Sequence, residues 1–435
     1  MFCPFRLRHR RSVGGCAALL LAACFAIPVA WSAPTTITFT HAQTLALQAA
    51  PSLQARQAQV LAAGEESHRA AALPDPQLSV GIVNLPITGR EALNAGADDM
   101  TMKEIAFTQA FPARAKRLAR QEVADRQVEQ AHALSVAEQA AVRQAVASAW
   151  IARWAAQREV DALRMMREPA EVAVRTAKAR LAGGTGSATD ALATRADALE
   201  LENRIDAAEA GATAAQAGLA RWLDLPAEAF EIAGDPPDLA TLPHDRSALL
   251  GNLDQQAPLL PWQSREAMAE AEVSAALAET RPDWSVSLGY GQRSRTPDGL
   301  PRSDMLTLQV AVGLPLFTRN RQDRGIAARR ADLQAVSAEH EDARRAQAAQ
   351  VQQWLAAWDG ANRAVARKQS QLLPLAADRS RTALAAYAGG GELQPWLQAR
   401  RDEIELHIEH ARHLGELGRD WAALAYLLPT GETQP

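Results

Sequence analysis

Residues 150–184 read WIARWAAQREVDALRMMREPAEVAVRTAKARLAGG, and this stretch decides how the rest of the chain is read. It closes a run with few helix breakers, 113–182, which turns at Gly183-Gly184 and returns along 190–224. A second run, 318–388, turns at Gly389-Gly390-Gly391 and returns along 395–427. The two share their rarest residues. Trp150 and Trp154 recur as Trp354 and Trp358, Pro169 as Pro374, and Leu225-Pro226 as Leu428-Pro429, at offsets of 203 to 205 residues. Upstream, Ala50-Pro51 matches Ala257-Pro258, Pro74-Asp75 matches Pro282-Asp283, and Asp99-Met100 matches Asp304-Met305. One structural unit is used twice.

A helix of that length would extend roughly 105 Å at 1.5 Å per residue, several times the width of a small domain. It must therefore lie along other long helices. Val160, Leu163, Ala170, Val174, Ala177 and Leu181 follow a three-four spacing, and Val351, Trp358, Val365 and Leu372 repeat every seven residues. Both patterns are coiled-coil seams. Residues 40–73, broken at Pro51, and 247–280 read as shorter helices occupying the same place in each copy.

Between the helices the periodicity changes to two. Leu78, Val80 and Ile82 alternate with Gln77, Ser79 and Gly81, and Ile105, Phe107 and Phe111 with Glu104, Ala106 and Thr108. In the second copy Val286, Leu288 and Tyr290 precede Leu306, Leu308, Val310, Val312 and Leu314, each alternating with small or polar residues. These read as hairpins over 77–111 and 283–316, with strands near the length that a tilted bilayer-crossing strand needs. Soluble hairpins with one buried face are the alternative. In hydrocarbon, four strands would leave two open edges, which a cyclic assembly of copies would close.

The N-terminus has the layout of a secretory signal peptide over 1–33: Arg6, Arg8, Arg10 and Arg11, an apolar run from Val13 to Val29, then small residues. Two cleavage readings stand. Leu21-Ala22-Ala23-Cys24 has the form of a lipobox that would lipidate Cys24, whereas the apolar residues after it suit ordinary cleavage near Ser32 or Ala33. Cys3, Cys16 and Cys24 are the chain's three cysteines, so no internal disulfide survives leader removal. That removal also takes the formal charge from −4 to −8, which argues against a nucleic-acid partner. No later apolar run is long enough for a membrane-spanning helix.

The expected organisation is a leader, 1–33; a first repeat, 34–226; an irregular linker, 227–246; a second repeat, 247–429; and a tail, 430–435. Each repeat runs short helix, β-hairpin, long helix, glycine turn, return helix. The pattern resembles the TolC family of outer-membrane factors over nearly the whole mature chain. Leu73-Pro74-Asp75-Pro76-Gln77-Leu78 with Asn84-Leu85-Pro86 resembles its heavy-metal branch, related to CzcC and CusC. Arg180-Leu181-Ala182-Gly183-Gly184 and Tyr387-Ala388-Gly389-Gly390 resemble the family's periplasmic tip motif.

The resemblance implies a mainly α fold with a small β part. Duplicated long-helix hairpins would form a periplasmic tunnel, and a homotrimer would assemble a twelve-stranded barrel in the lipid of the outer membrane. It implies a passive exit duct docking a periplasmic adaptor and an inner-membrane pump, here of the RND type for heavy-metal cations, with no cofactor and no enzymatic activity. A multidrug or type I secretion duct of the same fold is one alternative. A periplasmic coiled-coil adaptor or structural protein is another, although an adaptor would show one helical hairpin rather than two. The tip or gate would comprise Gly183, Gly184, Asp190, Gly389, Gly390, Gly391 and Gln398. Relatives carry paired acids after the second glycine turn, where this chain has Pro395 and Gln398, so a second-copy aspartate ring is not expected.

Other residues invite chemistry. His407, His410 and His413 offer imidazoles to a transition metal, but the outer two stand about 120° apart around a helix, and a solvated face is the competing reading. Pro169 and Pro374 each remove a helical hydrogen bond and are expected to kink the long helices. The tryptophan pairs lie four apart, as packing residues would. Arg114, Lys116, Arg117 and Arg120, and Arg319, Arg321, Arg324, Arg329 and Arg330, open the long helices as basic patches that would either meet anionic headgroups or face solvent. No nucleophile elbow, phosphate loop or His/Cys spacing of an enzyme is present.

Overall fold

The structure is a computed structural model that describes residues 35–296 and 298–429. The leader, including Cys24, and the tail lie outside the described residues. A short strand β1 (Thr35–Ile37) leads into α1 (Phe39–Ala49), whose N-cap Thr38 accepts a hydrogen bond from His41 N at 3.3 Å. Pro51 opens α2 (Pro51–Ala70), a first-turn position where its missing N–H costs nothing. Then come β2 (Gln77–Val83), β3 (Met102–Phe111), α3 (Arg114–Met165), α4 (Arg167–Ala182), α5 (Ala188–Leu223) and β4 (Phe230–Ile232). The second copy supplies α6 (Arg246–Gly251), α7 (Leu260–Ala278), β5 (Trp284–Arg293), β6 (Met305–Val312), α8 (Gln322–Arg367), α9 (Leu373–Ala388) and α10 (Gln394–Ala425).

The two hairpins join into one antiparallel sheet in the order β2-β3-β5-β6. The helices beneath keep that order: α3 packs between α2 and α7, and α8 lies beyond α7. Each strand thus continues from, or into, the helix of its own column. Further down, α5 packs on α3 and α4, while α10 packs on α3, α8 and α9. The wall stays four helices wide, with α2 stacked above α5 and α7 above α10.

Several expected spans are corrected. The run 113–182 is two helices, interrupted at Met166. Pro169 is the third residue of α4, where an N–H would have no intrahelical partner, and the break lets its ring avoid the Met165 carbonyl. The run 318–388 starts its helix only at Gln322 and contains a π-turn at Lys368–Leu372, directly before Pro374. That extra residue displaces the heptad. Val351, Trp358 and Val365 are buried, but the seam then passes to Leu373, Ser380 and Tyr387, leaving Leu372 37% exposed. In the first copy Leu181 is likewise exposed, and Val174 is only half-buried. The stretch 247–280 is three pieces, α6, a 3₁₀ turn at Leu253–Gln255, and α7.

The linker 227–246 is not wholly irregular. Its β4 pairs in parallel with β1, Ile37 beside Ile232, a contact between residues some 200 apart that no local pattern announces. Indole N–H groups fasten this equatorial belt to the helices: Trp150 donates to Ile37 O at 3.3 Å, Trp358 to Leu239 O at 2.9 Å, and Trp421 to Thr241 O at 2.8 Å. Trp150 is fully buried with its edge against Phe39, ring centroids 5.5 Å apart. At the same level α3 and α10 approach so closely that a Cβ on Gly418 would lie 2.2 Å from Ile151 Cγ2. Gly418→Val is expected to cost about 1–3 kcal/mol by overpacking. The check is the thermal midpoint by circular dichroism, which an unchanged value would contradict.

Candidate functional site: an apolar strand belt and a clamped helix tip

Register makes one face of the sheet apolar. Leu78, Phe107, Leu288 and Leu308 form one cross-strand row, and Val80, Ile105, Tyr290 and Leu306 the next. All eight are exposed, from 44% at Ile105 to 77% at Val80, which inverts the usual rule that such side chains are covered. The opposite face carries Gln77, Thr108, Ser287 and Gln309 in one row and Ser79, Ala106, Gly289 and Thr307 in the next. There Thr108 and Ser287 hydroxyls hydrogen-bond at 2.8 Å. The outer edges of β2 and β6 pair with no strand among the described residues. At the base Phe111 stacks on Trp284, centroids 4.3 Å apart.

The basic residues below the belt divide in two. Lys116, 6% exposed, bridges to Asp283 at 2.8 Å and Glu279 at 3.2 Å, fastening one copy to the other. Arg120 reaches Glu279 at 3.3 Å, Arg117 donates to Ala71 O at 3.3 Å, and Arg329 pairs with Glu272 at 3.1 Å. Arg319, Arg321, Arg324 and Arg330 stay exposed beside Leu316 and Phe317, which are 72% and 89% exposed.

At the other end both long helices stop in the same way. Gly184 at φ +72° and Gly390 at φ +104° take the left-handed conformation. Gly184 N donates to Leu181 O and Thr185 N to Arg180 O, and Gly390 N and Gly391 N bond Tyr387 O and Ala386 O in the same pattern. This is a Schellman stop, for which glycine is suited because it carries no Cβ penalty there. Gly391 needs space as well, since a Cβ there would meet Ala386 O at 2.9 Å.

Arg180 holds the two turns together. Its guanidinium donates to Tyr387 O at 2.5 Å and Gly391 O at 3.0 Å and stacks 4.5 Å from the Tyr387 ring centre. It also reaches Thr185 O of its own turn at 3.4 Å. Tyr387 is fully buried; burial, reinforced by the charge of Asp190, pushes its phenol above the ordinary value while Arg180 opposes. Asp190 lies in the first turn of α5, its N–H on Ser187 Oγ at 3.0 Å. Gln398 donates to Asp402 at 2.8 Å, and Asp402 pairs with Arg379 at 2.8 Å, an ion pair sequence reading missed. The sequence places Arg180 at the head of the tip motif but assigns it no role, and the second copy has Ala386 in the same place before its glycines.

Both proline-linked irregularities are fastened to α10. Arg400, 1% exposed, donates to the Met166 carbonyl at the first break and approaches Glu403 at 3.5 Å; burial draws its guanidinium below the ordinary value. Lys368, in the π-turn, bonds Glu409 at 2.5 Å. His407, His410 and His413 are half-buried beside these groups, which corrects the solvated-face reading. Burial pushes His407 and His410 below the ordinary imidazole value. Among the described residues no set of three or more His, Cys, Asp or Glu side chains is placed to hold a metal ion.

Removing the clamp with Arg180→Ala is expected to cost the tip about 1.5–3 kcal/mol. Limited proteolysis should then cut the turns at 183–187 and 389–393 roughly tenfold faster or more. Equal cleavage rates would show that other contacts hold the tips.

No protein-family model matches the chain. A nickel-cobalt-cadmium resistance protein, NccC, of Alcaligenes xylosoxydans xylosoxydans is 28% identical over 372 residues, covering 80% of this chain and 76% of that protein. The solved structure of CusC, described as forming a transmembrane channel, superposes with a TM-score of 0.74 at 16% identity, over 90% of this chain and 92% of that one. The outer membrane protein VceC of Vibrio cholerae gives 0.71 at 21% identity, over 91% and 97%. Over about nine-tenths of its length the chain therefore shares the fold of these two solved structures.

Proposed function

We propose that this chain is the outer-membrane channel of a tripartite efflux system, a passive exit duct for heavy-metal cations. The observation that carries the reading is the four-stranded sheet, apolar and exposed on one face, polar on the other and unpaired at both edges. In hydrocarbon each unpaired backbone group costs several kcal/mol, so sister copies must close the sheet. Two copies would give eight strands, an interior that side chains fill, whereas three give twelve and leave a lumen. The same closure makes a twelve-helix wall below it. Energy for transport comes from an inner-membrane pump of the RND type, reached through a periplasmic adaptor at the clamped tip. The kinship to NccC supports divalent transition-metal cations as substrate.

A matched pair of substitutions tests the barrel. Leu308→Arg puts a charge on the apolar face and is expected to cost about 2–4 kcal/mol near the bilayer midplane, removing the oligomer from outer-membrane fractions. Gln309→Arg, one residue on, should assemble normally; equal behaviour of the two would refute the assignment of faces. The substrate is tested separately. A deletion strain should lose tolerance to nickel, cobalt or cadmium and regain it with the intact gene, whereas unchanged metal tolerance with lost drug tolerance would reassign the duct to multidrug export.

A further inference from the structure

The polar face of the sheet carries two charged side chains, Glu104 and Arg293, among the described strand residues. Arg293 is occupied at the upper rim, donating to Ser303 O at 2.7 Å and Asp99 O at 3.4 Å. Glu104 has no hydrogen-bond or ion-pair partner among the described residues. Its place is nevertheless prepared. Its cross-strand neighbours are Gly81 and Gly291, and its carboxylate lies over Gly289, where a Cβ would come within 2.5 Å of Glu104 Oε1. Gly289 thus leaves the space that this half-buried carboxylate occupies, and both of its cross-strand neighbours lack a side chain.

Glycine weakens a strand interior, so Gly289 directly beneath this side chain needs a reason. A side chain at 289 would crowd the carboxylate; glycine there leaves it unpaired on the polar face of the sheet. From the register, together with the trimeric barrel proposed above, we infer that Glu104 is a specificity-determining residue, one of three equivalent carboxylates forming a fixed negative ring inside the strand barrel. The ring favours cations over anions along the exit path. It acts by charge rather than by chelation, because three strands lie between one Glu104 and the next around the proposed barrel. Rings of carboxylates are a recurrent means of cation selection in pores.

A reporter cysteine measures the local charge. With Cys24 replaced by serine the mature chain has no thiol, so Thr307→Cys, beside Gly289 on the same face, is a single target. Whole cells carrying the full chain are treated from outside with a cationic and an anionic methanethiosulfonate of similar size. The ratio of cationic to anionic rates should fall roughly fivefold when Glu104→Gln is added, the size expected for unit charges roughly 8 Å apart in water, where each rate shifts by about 2.4-fold in opposite directions. Glu104→Asp should keep the ratio, and outer-membrane oligomer levels report that each variant assembles. An equal ratio with Glu104 and with Gln at 104 overturns the inference while leaving the barrel intact. Protection of Thr307→Cys from both reagents, with Leu308→Cys modified instead, would remove the barrel reading and the ring with it.

Discussion

A strand edge has amide and carbonyl groups that water satisfies and hydrocarbon does not. The apolar face built by Leu78, Phe107, Leu288 and Leu308 belongs in hydrocarbon, yet the sheet ends at β2 and β6 with both edges unpaired. Those two facts conflict within one chain and are reconciled by the proposed ring of chains. Much else is arranged to serve that ring. The helices repeat the order of the strands, so whatever closes the sheet also closes the wall beneath it. Lys116 bridging to Glu279 and Asp283 fastens the internal seam between the two copies.

The duplication is not a symmetric one. Each copy has a proline at the same place, but the first is accommodated by a full break at Met166 and the second by a π-turn at 368–372. A break restarts the helix with free choice of phase, whereas a π-turn preserves the helix and moves the seam by one residue. Tyr387 is buried because of that shift, and it is the residue whose carbonyl and ring Arg180 grips. The tip clamp therefore depends on an irregularity some twenty residues away. α10 bears on both irregularities through Arg400 and Glu409, so the last helix of the second copy fastens the middle of both.

The proposed function then rests on two ends of different physics. At the strand end, the face that each side chain takes separates an apolar surface from a polar one. At the helix end, two Schellman stops present carbonyls that one guanidinium collects.

Periodicity fixed much of this chain in advance. The 204-residue recurrence of Trp150 and Trp354, the two glycine turns and the alternation in 77–83 and 305–312 are local patterns, and local patterns survive translation into helices, stops and strands because they depend only on neighbours in the chain. What three dimensions decided was long-range pairing. No run of residues announces that β1 pairs with β4, that β3 pairs with β5 to make one sheet, or that His407 and His410 sit half-buried beside Arg400 and Lys368. Arg180 and Glu104 make the point most sharply. Each reads as one more charge on a helix or strand, and each acquires its role from glycines and carbonyls that folding brings from the other copy, about 200 residues away.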